Sequence, residues 1–359
     1  MNNSSIELFS ATNNEVNINM ALAAGLSIGC ISFCTIIGNI FVINAIRTDH
    51  QLRQRYANRL VSSLAVTDLL VGLTVIPMAA VYQIYGYWIA GEAMCMVYLM
   101  ADLTLCTTSI LHLVAIALDT FFFSSSLTYS RDKKKQRRFV KIAVGICWSI
   151  PPAVVCLPNL VMLLLEPDRN GKECIISQQL AIAVYSTLTA FYIPTGVLIY
   201  VYVRLFLHVR KRSKKLLKRS GEYSRNVTEV AIKDQQGKTV VKNFNGTKLE
   251  STLTKANNTD PSTKQLLNKK SAECLKLVKR RERKALCILL IITGVFCICW
   301  LPFFVNAVIT PFNKNLIPSN AKDIFTWLGY SNSMLNPVIY TVFIPEFRKS
   351  FKKSLPCCN

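Results

Sequence analysis

Asp102 is the side chain best placed to do chemistry. Within segment 94–118 it is the only charged residue. A charge at mid-bilayer costs about 3 kcal/mol on insertion scales, so a carboxylate held there points to a function. Asp102 follows Cys95 by seven residues, or about two helical turns, which puts both on one helix face with Asp102 roughly 10 Å deeper. No Lys or Arg lies nearby in the apolar runs to neutralise it. A cationic ligand would supply the missing partner, and neighbouring hydroxyls such as that of Tyr330 are the alternative. Trp300, Phe303 and Phe304 flank Pro302, and Trp327 and Tyr330 lie on the last apolar segment. Such rings can cage an ammonium by cation–π attraction, or they can be ordinary core. Ser186 and Thr187, ahead of Pro194, can bond a ligand hydroxyl or indole N–H, or can bond back to their own helix. Asp68 shares its depth with Ser109, Asn332, Ser333 and Asn336, a set that suits a hard monovalent cation, a water cluster or a structural polar network. The histidines, His50, His112 and His208, are scattered, and there is no Gly-rich phosphate loop or metal motif. The chain is therefore expected to be neither an enzyme nor a cofactor carrier.

These residues need elements to hold them. Only 17% of the residues are charged, against about 25% in soluble domains. Seven apolar runs, at 20–46, 60–85, 94–118, 139–165, 179–205, 285–309 and 324–343, reach the length of about 20 residues that spans a bilayer. Inside lipid every backbone group must be bonded within its own segment, so the runs read as helices. The expected fold class is an all-α membrane protein: a seven-transmembrane helix bundle at 20–343, after an extracellular segment at 1–19. The net charge of +22 gathers at 47–59, 131–141, 204–284 and 348–353, which are alternate connections and the carboxyl tail. That pattern puts them on the cytoplasmic side and the amino terminus outside, at the plasma membrane. It reads as charge facing anionic lipid and not as a nucleic-acid surface. The first helix reads as an uncleaved signal, and Asn2 and Asn3 open outer glycosylation sequons.

The cysteines sort by compartment. Only Cys95 and Cys174 fall in outer connections or at a helix's outer end, so they are expected to form a disulfide worth about 4 kcal/mol. Segment 206–283 is rich in Lys, Ser, Thr and Asn, and is expected to be largely disordered with helical extensions at both ends, including 276–284. Segment 344–359 places Phe347, Phe351 and Leu355 on one face of a short amphipathic eighth helix on the inner leaflet. Cys357 and Cys358 follow as palmitoylation candidates.

Taken together, these motifs resemble rhodopsin-like (class A) G-protein-coupled receptors over nearly the whole chain. The matches are Gly38-Asn39, SLAVTDLLVG around Asp68, Cys95 with Asp102 and SILHLVAIALD, Trp148, Pro194 with Tyr202, FCICWLPFF, and NSMLNPVIY. The biogenic-amine branch is the most similar, through Asp102 at its amine anchor, Cys106 one turn below, Phe303-Phe304 and WLGY. Ser186, Thr187, Ala190 and Ala307 look most like the serotonin receptors. The resemblance implies a small aromatic amine ligand, a heterotrimeric G protein and an arrestin as partners, and a sodium ion on Asp68, Ser109, Asn332 and Asn336. It implies a rotamer switch at Trp300, repacking of Pro194, Ile110 and Phe296, and activation roles for Tyr202, Asn336, Pro337 and Tyr340. One position departs. The branch carries Asp-Arg-Tyr at the inner end of the third helix, whereas this chain has Asp119-Thr120-Phe121. Thr120 cannot pair with Glu282, so an amine-binding protein with weak or no G-protein output is the alternative expectation.

Overall fold

The computed structural model describes residues 3–165, 174, 179–234, 286–288, 290–313 and 316–354. Asn2, Glu282, Leu355, Cys357, Cys358, the 276–284 extension and most of 206–283 lie outside the described residues. Eight main helices are described. They are α1 (Asn3–Thr48), α2 (Ala57–Tyr85), α3 (Gly91–Ser125), α4 (Lys133–Val161), α5 (Leu180–Arg212), α6 (Leu286–Ile309), α7 (Ser319–Phe343) and α8 (Pro345–Ser354). The helical path of α4 continues to Leu165 and that of α5 to Asp234. Single-turn helices, His50–Gln54 and Leu127–Arg131, fill the α1–α2 and α3–α4 connections. Asp49 and Ser126 cap them through their side chains.

Among the described residues, six helices are long and apolar enough to cross a bilayer. α7 is long enough, at 25 residues, but carries Asn332, Ser333 and Asn336, all buried. Its polar residues face the interior, so hydropathy alone understates it. The fold is a seven-helix membrane bundle with α8 packed beneath it. Phe351 of α8 meets Phe41 of α1 edge-on at 4.9 Å, and Phe347 stacks on Tyr340 at 5.7 Å. Arg55 and Glu346 form an ion pair at 3.1 Å. A separate unit, residues 204–287, is described mainly by the helical continuation of α5.

Three helices widen by one residue per turn, at Val71–Val75, Pro151–Cys156 and Leu188–Tyr192. Each turn closes with an i→i−5 bond: Ile76 to Val71, Leu157 to Pro152, and Ile193 to Leu188. The cause lies downstream. Pro77, Pro158 and Pro194 have no amide hydrogen, and their rings collide with the carbonyl four residues earlier. Those carbonyls belong to Leu73, Val154 and Ala190, each inside a widened turn. Periodicity alone gave straight helices here.

Other starts and stops differ from the apolar runs. α1 begins at Asn3 and not near position 20, and α7 begins at Ser319 and not at position 324. Helices extend past their hydrophobic stretch because backbone bonding continues into polar sequence. Cys95 and Cys174 form the expected disulfide (Cα–Cα 5.6 Å), which ties Cys174 to the outer end of α3. Loop closure over 79 residues stabilises the fold by about 4 kcal/mol in the chain-entropy account. Cys95→Ser is expected to lower the thermal inactivation midpoint of the detergent-solubilised protein markedly; an unchanged midpoint contradicts this role.

Candidate functional site

Asp102 is half-buried on α3, two turns inside the disulfide. Its Oδ1 accepts from the Cys106 thiol at 3.2 Å and its Oδ2 from the Tyr330 hydroxyl at 3.3 Å. Tyr98 lies 3.2 Å from that hydroxyl; since Tyr330 gives its proton to the carboxylate, Tyr98 donates to Tyr330. Trp88 stacks on Tyr98 at 5.4 Å and donates its N–H to the Gly91 carbonyl at 2.8 Å, fixing this arm to the start of α3. The partners of Asp102 are therefore neutral donors, and no cation among the described residues pairs with it. Of the two readings left open by the sequence, the hydroxyl partner is present in Tyr330, joined by the Cys106 thiol.

The aromatic side chains gather around this point. Trp300 lies 6.3 Å from Tyr330, and 5.8 Å from both Phe303 and Phe304, ring centre to ring centre. Trp327 meets Tyr330 edge-on at 5.6 Å, and its N–H donates to Gln83 at 2.8 Å. Trp300 rests against the backbone of α7: a Cβ at Gly329 would come within 2.8 Å of its ring. Phe191 completes the wall from α5, stacked on Phe304 at 4.4 Å and on Phe296 at 5.9 Å. Ile110, Phe296, Pro194, Tyr202 and Tyr340 are all buried.

On α5, Ser186 donates to Asn159 of α4 at 3.0 Å. Thr187 donates to the carbonyls of Ala183 (2.8 Å) and Val184 (3.1 Å) of its own turn. Each hydroxyl proton is thereby engaged within the protein.

Asp68 is fully buried and takes three bonds, from Ser109 (3.2 Å), Ser333 (2.9 Å) and Asn336 (2.8 Å). Asn332 is buried, but none of these bonds comes from it; Ser333, one residue on, takes that place. Asn39 donates to the Ser333 carbonyl at 3.1 Å and joins α1 to the same cluster. Ser109 and Ser333 thus place two hydroxyl oxygens beside the Asp68 carboxylate.

At the inner end of α3 the Tyr129 hydroxyl donates to Asp119 at 2.5 Å. Burial, then the bond to Asp119, holds the Tyr129 phenol above its ordinary range, so it remains a proton donor. Thr120 donates back to the Ile116 carbonyl at 2.8 Å. Phe122, Tyr129 and Phe139 pack in edge-on or tilted contacts of 5.6 to 6.1 Å around the pair.

Sequence reasoning missed several members. Tyr98 precedes Asp102 by one turn, a spacing that could have exposed it. Asn159 is an amide in an apolar run, open to the same argument that found Asp102. Gln83, Phe191 and Tyr129 carried no comparable signal, because their roles depend on which helices meet.

Comparison with known proteins bears on the family of the chain. The family model described as "7 transmembrane receptor (rhodopsin family)" matches residues 38–340. The chain is 33% identical over 387 residues to "5-hydroxytryptamine receptor 1A-beta" of Takifugu rubripes, covering 96% of this chain and 92% of that one. It is 35% identical over 351 residues to "5-hydroxytryptamine receptor 1D" of Homo sapiens, covering 94% and 89%. With "5-hydroxytryptamine receptor" of Bombyx mori it shares 34% over 379 residues, covering 93% and 84%.

The contact between Trp300 and Gly329 gives a structural test. Gly329→Ala must displace the indole or α7, at an overpacking cost of about 1–3 kcal/mol. A lowered melting temperature with a shifted tryptophan emission is expected, and unchanged values in both contradict the close approach.

Proposed function

The chain belongs to the rhodopsin family of seven-transmembrane receptors, and from that premise we propose that it is a cell-surface receptor for a protonated biogenic amine, with its amino terminus outside. The observation that carries the reading is the Asp102 carboxylate, oriented by Cys106 and Tyr330 and without a cationic partner among the described residues. An ammonium within hydrogen-bond reach of Asp102 supplies the charge that burial otherwise leaves uncompensated. The rings of Trp300, Phe303, Phe304, Trp327 and Tyr330 offer π faces to the cation and apolar walls to the rest of the ligand. Ser186 and Thr187 face the far end. The similarity to the serotonin receptors supports an indole amine as ligand. A sodium ion held by Asp68, Ser109, Asn332 and Asn336 would bias the resting state.

Signalling through a heterotrimeric G protein, with arrestin as a further partner, is the first reading of the output. A second reading, binding with weak or no G-protein output, is favoured by the inner end of α3. There Asp119 is held by Tyr129 and Thr120 is turned onto its own helix, so no guanidinium is present at Thr120 to meet a partner.

Two measurements test these readings. In radioligand binding with a panel of aromatic amines, Asp102→Ala is expected to lose at least about tenfold in affinity, from removal of one partner of a partly buried charge pair; equal affinity in both proteins rejects the amine reading. In a G-protein activation assay, strong amine-evoked output from the native sequence rejects the second reading. Output that arises only in Thr120→Arg supports it.

A further inference from the structure

We propose that Tyr98 is a positioning residue of the amine anchor: its hydroxyl proton, given to Tyr330, commits the one Tyr330 proton to Asp102 and so fixes the carboxylate edge that an ammonium meets. This rests on the amine reading above and adds what controls the anchor from the outer end of α3.

Cys95, Tyr98 and Asp102 stand at i, i+3 and i+7 of α3, on one helix face. Tyr98 and Tyr330 are both buried, so each hydroxyl needs a partner within the protein. Only one arrangement of protons fits. An ionised carboxylate can only accept, so the Tyr330 hydroxyl, 3.3 Å from Asp102 Oδ2, donates to it. A phenol carries one proton. The 3.2 Å contact between the two phenol oxygens is therefore filled by the Tyr98 proton. The opposite direction would set the lone pairs of Tyr330 against Asp102. With phenylalanine at position 98, the Tyr330 oxygen becomes a buried acceptor with no donor from α3. A phenol that accepts no bond is also a weaker donor, so the carboxylate is held less firmly.

The Tyr98 ring is held for this task from outside α3. Trp88 stacks on it at 5.4 Å with the ring planes 23° apart, and the Trp88 N–H donates to the Gly91 carbonyl at 2.8 Å. Tyr82 of α2 meets Trp88 edge-on at 6.0 Å. Phenylalanine at position 98 would keep the stack on Trp88, so packing accounts for an aromatic ring there and not for its hydroxyl. Among the described residues, the hydrogen-bond partner of that hydroxyl is Tyr330. The two oxygens of Asp102 are thus served differently. Cys106 holds Oδ1 from within α3 at 3.2 Å, whereas Oδ2 depends on Tyr330 of α7. Tyr98 closes a clasp that leaves α3, turns at the α7 phenol and returns to α3 at Asp102.

The test is a double-mutant cycle read as saturation binding of radiolabelled 5-hydroxytryptamine to membranes bearing the full chain. Tyr98→Phe is expected to lower affinity by about threefold to tenfold. In a Tyr330→Phe background the same change is expected to cost less than about twofold, because no phenol remains to be directed. A ring that serves only as core predicts native affinity in Tyr98→Phe. Direct contact between the Tyr98 hydroxyl and the ligand predicts equal losses in both backgrounds. Either result, with binding still dependent on Asp102, overturns this inference alone. A structure of the native chain with the amine bound carries the test if a variant fails to fold. The two phenol oxygens are expected to stay within hydrogen-bond reach of each other, and their separation overturns the inference. Absence of binding to a surface-expressed native chain overturns it together with the amine reading.

Discussion

An uncompensated carboxylate inside an apolar bundle is the constraint on which the rest of this structure turns. Desolvating an isolated charge costs several kcal/mol per ion even after relaxation. Asp102 meets part of that cost with two neutral donors, Cys106 and Tyr330, the latter steadied by Tyr98, on which Trp88 stacks. Neutral donors orient a carboxylate without cancelling its charge. The site is therefore shaped in advance and electrostatically incomplete, which is the condition in which a ligand's charge counts most.

The scaffold keeps that carboxylate accessible. The disulfide anchors the outer end of α3, and the close approach of Trp300 to Gly329 sets the floor against α7. Proline does the rest at a distance. Pro77, Pro158 and Pro194 each widen the preceding turn, and the last two changes shift α4 and α5 in register where Asn159 meets Ser186. Asp68 shows the contrasting solution for a buried acid, with three donors from α3 and α7 closing on it.

Much of this was legible in the sequence, and the reason is specific. Spans longer than a bilayer leave helix as the only answer, and a charge inside such a span is rare enough to name itself, which exposed Asp68 and Asp102. Only two cysteines fell in outer positions, so Cys95 and Cys174 could be paired. What sequence did not yield depends on contacts between helices. The choice of Ser333 over Asn332 at Asp68 turns on about 100° of helix rotation. The widened turns follow from proline sterics that a hydrophobic period does not register. Tyr129 could be assigned to Asp119 only once the short helix Leu127–Arg131 folded it back. The same fold-back shows how the inner end of α3 manages without arginine: a phenol donor replaces a guanidinium, giving a hydrogen bond in place of an ion pair.

Whether a bound ammonium completes the charge of Asp102 is tested most directly by a structure of the chain with a primary aromatic amine in place. The amine nitrogen is expected at about 2.8 Å from an Asp102 carboxylate oxygen, the length of a charge-assisted hydrogen bond. An amine bound with its nitrogen beyond hydrogen-bond reach of Asp102, or a carboxylate found paired with a Lys or Arg of the chain itself, would contradict it.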